Sequence, residues 1–137
     1  MSSLPTSGHS EDERAVLRFL DLWEQQDVEA MMACFTGDAS YIDMPLPPRH
    51  GAEQIRAYIE RIFAAFSVRI ETLHIASTGN VIFTERVDYL ALNGSGTPPV
   101  PLPVTGVMEM RGGKIAVWRD YLHLRTAEEG RGITIRP

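Results

Sequence analysis

Cysteine and lysine are almost missing from this sequence: Cys34 and Lys114 are the only ones in 137 residues. A single cysteine excludes an intramolecular disulfide and a cysteine-paired metal site. With Met31, Met32, Ala33 and Phe35 around it, Cys34 reads as a buried thiol rather than a nucleophile. The 13 basic residues are scattered and the net charge is −5, so no basic stripe offers itself to phosphates and nucleic acid is not an expected partner. Apolar runs stop well short of membrane-spanning length, and Met1 to His9 is polar where a secretory signal would be apolar. The expectation is a cytoplasmic protein with no membrane partner. The four histidines, His9, His50, His74 and His123, show no ligand spacing, which leaves no candidate metal site.

What is present is an ordinary globular composition. Hydrophobic residues make up 44% and charged residues 23%, too apolar for a disordered chain, and the length suits one hydrophobic core. Residues 1–10 lack periodicity and read as a loose arm, residues 11–125 as one domain, and residues 126–137 as an extended tail rich in Gly and ending in Pro137. From Glu11 to about Gln26, apolar Val16, Leu17, Phe19, Leu20 and Trp23 recur at helical spacing behind three acidic residues that favour a helix N-terminus. Asp27 can cap a short second helix through Phe35, with Gly37 near its end. A third helix is predicted from about Ala52 to Phe66.

Between the last two helices, Ala39 to Met44 reads as a short strand that Pro45, Leu46, Pro47 and Pro48 turn into a loop. The period then changes. Val68 to Ser77, Val81 to Leu92, Pro103 to Arg111 and Lys114 to Leu124 are rich in β-branched and aromatic residues, with turns at Thr78-Gly79-Asn80 and Gly112-Gly113. Helices first and a strand meander second predict an α+β domain in which helices cover one face of a curved sheet and enclose a cone-shaped cavity.

Two strands break the apolar alternation. On one face of Val81 to Leu92 lie Ile82, Thr84, Arg86, Asp88 and Leu90, so Arg86 and Asp88 are neighbours between apolar ends. On the last strand Ala116, Trp118, Asp120, Leu122 and Leu124 share a face whose one charge is Asp120. A lone carboxylate among Trp and Leu is penalised unless it is paired, and Arg86 placed between Asp120 and Asp88 would pair both. Periodicity leaves two readings open: an ion network that fixes strand register, or an acid and base pair oriented by one guanidinium. Tyr41 and Asp43 share a face of the short strand.

The segments Tyr41-Ile-Asp-Met-Pro-Leu-Pro-Pro, Phe83-Thr-Glu-Arg-Val-Asp88, Pro103-Val-Thr-Gly106 and Trp118-Arg-Asp-Tyr121 resemble those of limonene epoxide hydrolases, in the same order. With the helix bearing Phe19, Leu20, Trp23 and Asp27, the resemblance spans roughly residues 12 to 124. It implies the mixed, strongly curved cystatin-like roll shared with ketosteroid isomerases and nuclear transport factor two, a homodimer, and one-step hydrolysis without a cofactor. By position, Asp120 would be the general base, Asp88 the general acid and Arg86 the bridge, while Tyr41 and residue 43 hold the water. The family has Asn where this chain has Asp43, and an ionised carboxylate cannot donate the amide hydrogen bond.

Met44, Leu46, Met108, Trp118 and Leu122 are the expected substrate contacts, which suit an apolar alicyclic or aryl epoxide. Two other classes stay open: a cyclase or ketosteroid-isomerase-like proton shuttle, which Asp43 would favour, and a non-catalytic ligand-binding module, against which the charged triad counts. The homodimer is expected to join through the outer sheet face bearing Phe83, Val87 and Tyr89.

Overall fold

The computed structural model describes residues 9–44 and 46–122. The expected arm over residues 1–8, the tail over 126–137 and the end of the last strand at 123–124 lie outside those residues. Ser10 belongs to the domain: its hydroxyl accepts from the Glu13 backbone N–H at 3.1 Å and caps helix α1, Glu11–Gln25. Helix α1 buries Val16, Leu17, Phe19, Leu20 and Trp23, the predicted stripe. Asp27 caps α2, Val28–Met32, which is shorter than its prediction because the chain is already extended at Phe35. Strand β1 thus runs Phe35–Met44 and contains Gly37.

After the proline loop comes β2, Arg49–His50, which sequence reasoning missed. Helix α3 covers Ala52–Ala65 and passes without a turn into β3, Phe66–Thr78. Strand β4 is Val81–Leu92, β5 is Val100–Arg111 and β6 is Lys114–Tyr121. Among the described residues, six strands lie in the order β2-β1-β6-β5-β4-β3. Only β1 and β6 run parallel, so the sheet is mixed, and the architecture is the expected α+β roll.

Register shifts at Thr72/His74 in β3 and at Glu109/Met110 opposite β6 add twist and help curl the sheet. The second shift has a local effect that period two could not foresee. Met110 pairs with Ile115 and Glu109 with Val117, so Ile115, rather than Ala116, joins the core below Trp118. Helices α1 and α3 cover the concave face, where Phe19, Trp23, Phe35 and Trp118 meet largely edge to face with centroids 5.2–6.3 Å apart. Such contacts add about 0.5–1.5 kcal/mol each beyond the area they bury. Among the described residues, no helix is long and apolar enough to cross a membrane.

Candidate active site

The alternation of β4 aims Thr84, Arg86 and Asp88 at the concave face, and the register carries that row across the sheet. Thr84 pairs with Gly106 on β5, and Gly106 with Asp120 on β6. Asp120 and Arg86 are thus separated by a whole strand, about 10 Å of backbone spacing. They meet because the residue between them has no side chain. A Cβ on Gly106 would run into Arg86 Nη1 and lie 2.9 Å from Thr84 Oγ1 and 3.0 Å from Asp120 Oδ1. Sequence reasoning used Gly106 only as part of a motif; its role as the floor under the guanidinium is visible only once the strands are paired.

Arg86 is 1% exposed, and its donors are spent on the site. Nε donates to Asp88 Oδ1 at 3.1 Å and Nη2 to Asp88 Oδ2 at 3.0 Å. Toward Asp120, Nη1 donates to Oδ1 at 3.0 Å and Nη2 to Oδ2 at 3.1 Å, while Nη1 also faces Thr84 Oγ1 at 3.5 Å. Burial alone would pull the guanidinium pKa down; the charges of Asp120 and Asp88 outweigh it and hold Arg86 well above its ordinary value. It is a fixed cation. Trp118 adds a third bond to Asp120, donating from Nε1 to Oδ1 at 2.8 Å.

Tyr41 lies opposite Trp118 in the parallel β1–β6 pair and stacks on it at 3.9 Å; two residues on, Asp43 lies opposite Asp120. The Tyr41 hydroxyl donates to Asp43 Oδ1 and the Tyr58 hydroxyl to Asp43 Oδ2, both at 2.7 Å. Burial and the neighbouring Asp120 charge raise the Asp43 pKa, against the pull of the two phenols and of Arg49. Burial and Asp43 in turn push both tyrosine hydroxyls upward, so they stay donors.

These groups open on a cavity of about 420 Å³ whose wall includes Asp120, Asp88, Tyr41 and Asp43. Arg86 is shut beneath that wall. Met44, Leu46, Trp118 and Leu122 line it as expected. Met108 does not: its register with Trp118 and Ile82 places it in the hydrophobic core, 1% exposed. Sequence reasoning missed Tyr58 and Arg49. Tyr58 was legible as an apolar position of α3 but carries a polar end into the site, and Arg49 sits on the two-residue β2. Cys34 is half-buried, its thiol pKa raised by burial and its Sγ donating to Ala30 O at 3.4 Å, away from the cavity. Among the described residues, no three His, Cys, Asp or Glu side chains are gathered to hold a metal ion.

Chemically, the arrangement offers one carboxylate held in place and one presented. The Asp88 side chain is 16% exposed against 5% for Asp120, so Asp88 has more room to reach a bound molecule.

Epoxide hydrolase EphG of Mycobacterium tuberculosis (strain ATCC 25618 / H37Rv) is 28% identical to this chain over 107 residues, 78% of this chain and 70% of the relative. The structure of an M. tuberculosis LEH-like epoxide hydrolase superposes with a TM-score of 0.78 at 27% identity, covering 88% of each chain. A Catenulispora acidiphila DSM 44928 protein with a ketosteroid isomerase-like fold superposes equally well, with a TM-score of 0.78 over 90% of this chain and 97% of that one, but at 23% identity shares the fold alone. Residues 16–118, which include Tyr41, Asp43, Tyr58, Arg86 and Asp88 and end two residues before Asp120, fit the SnoaL-like domain, and the chain belongs to that family.

Proposed function

We propose that this protein is an epoxide hydrolase that adds water to an apolar alicyclic or aryl epoxide in one step. The observation that carries this reading is the single guanidinium bonded to both Asp120 and Asp88, with both carboxyl groups on one cavity wall. Ionised Asp120, pinned by Arg86 and Trp118, removes a proton from water as the water oxygen attacks an epoxide carbon. The carbon–oxygen bond of the ring breaks, and protonated Asp88 delivers its proton to the leaving oxygen. The product is a vicinal diol. Asp120 is left protonated and Asp88 ionised, and solvent resets them through the open mouth of the cavity. Tyr41 and Asp43 flank the path of the water.

A ketosteroid-isomerase-like proton shuttle or an epoxide-opening cyclase is the second reading. It is favoured by Asp43, a carboxyl group with raised pKa between two tyrosines, which could protonate or deprotonate a carbon acid. A panel of cyclohexene, limonene and styrene oxides in ¹⁸O-labelled water separates the readings. Hydrolysis predicts diols carrying one labelled oxygen from the first turnover; unlabelled products, or isomers and cyclic ethers in place of diols, would favour the second reading.

A further inference from the structure

Arg86 is consumed by two carboxylates, yet the cavity wall carries two more guanidinium groups, those of Arg49 and Arg61. Neither has a carboxylate within ion-pair distance among the described residues. The Arg49 Cζ stands over the Tyr58 ring, 3.7 Å from its centroid and 5.4 Å from that of Tyr41, and its Nη1 is buried without a hydrogen-bond acceptor. A buried donor on a permanent cation is costly to leave unmade. Arg61 reaches the wall because it shares a face of α3 with Tyr58, Ile62 and Ala65, spaced three, four and seven residues from Tyr58. A second unmet donor stands on the same wall: Trp23 is 5% exposed, and its Nε1 also lacks an acceptor.

We propose that Arg49, seconded by Arg61, binds a carboxylate on the substrate, so that the molecule taken up is an apolar epoxide with a carboxylate remote from the ring.

The strand register gives its scale. Arg49 pairs with Tyr41 and Asp120 with Asp43, so their backbones stand two strands and two residues apart, about 12 Å. Ile62, Val68, Leu90 and Leu102 line the cavity with apolar surface for the body of such a molecule.

The test separates binding from turnover, since the substrate assignment rests on the hydrolase reading and the anion site does not. Calorimetry with the unreactive probes phenylbutanoate and phenylbutanamide is compared in the wild type, Arg49→Met, Arg49→Lys and Arg61→Met. The wild type should hold the acid at least about tenfold more tightly than the amide, the worth of one charge-assisted hydrogen bond. Arg49→Met should bring that ratio close to one, Arg49→Lys should keep part of it, and Arg61→Met should lower it less than Arg49→Met. Equal affinities in the wild type, no measurable acid binding, or a preference that survives Arg49→Met would overturn the anion site. The same skeletons bearing a terminal epoxide are then assayed for diol: a higher kcat/KM for the acid, lost in Arg49→Met through KM, supports the substrate class. Diol from neither skeleton, with the acid preference intact in calorimetry, would strike down the hydrolase reading and leave the anion site standing.

Discussion

Asp43 is the residue in which this chain departs from the limonene epoxide hydrolase pattern, and the structure shows what surrounds the change: Tyr41 on one oxygen, Tyr58 on the other and Asp120 across the strand pair. Because burial and the Asp120 charge raise its pKa, the folded protein keeps the Asp43 proton to higher pH than the unfolded chain does. The stability this proton contributes is complete below the ordinary carboxylate range and is lost as pH rises through the raised value. Asp43→Asn removes that loss, so urea midpoints should move in favour of the variant from about pH 4 upward. A midpoint difference that does not change with pH contradicts the environment described for Asp43. The amide also offers both a donor and an acceptor to the water, so epoxide hydrolysis by Asp43→Asn should be retained or increased. The identity of Asp43 was plain from the sequence. Its second phenol was not, since Tyr58 lies fifteen residues away on a helix whose periodicity marks that position only as buried.

At the scale of strands, register decides what single residues can do. The bounds of β4 were legible because turn residues flank an unbroken β-rich run, and the inward face bearing Arg86 and Asp88 followed from alternation. The start of β5 was hidden by Pro101 and Pro103. Among the described residues, β6 pairs with β5 only from Thr105 onward, so the prolines lie in a stretch of β5 bonded there to β4 alone. The true length of β1 was hidden as well, since its parallel partner β6 is some eighty residues away and no local pattern announces it. Gly106 is where register becomes chemistry. Gly106→Ala inserts a methyl group into the space of the guanidinium, and by analogy with overpacked cores it should cost about 1–3 kcal/mol. Diol formation should fall at least a hundredfold as Arg86 is displaced from Asp120. Denaturation curves and initial rates check the two effects, and a variant with unchanged rate would remove Gly106 from the site.

On the scale of the whole molecule, the roll brings residues from all six described strands and from helices α1 and α3 to one cavity, which composition alone could not locate. Its outer face remains partly apolar. Phe83 is 41% exposed and Val87 is half-buried, whereas Arg69 already covers Tyr89, 4.2 Å above its ring. We propose that two chains pair across this face. Light scattering at micromolar concentration should give twice the chain mass, and Phe83→Glu should give the monomer; a monomeric wild type contradicts the pairing. The proposed role of Asp120 as the base is tested most directly by Asp120→Asn, because the amide fits the same space and cannot take the water proton. With a turned-over epoxide from the panel, initial rates of diol formation should fall by about two to four orders of magnitude while the thermal unfolding curve stays cooperative. An Asp120→Asn protein that folds and forms diol at close to the wild-type rate would contradict the account.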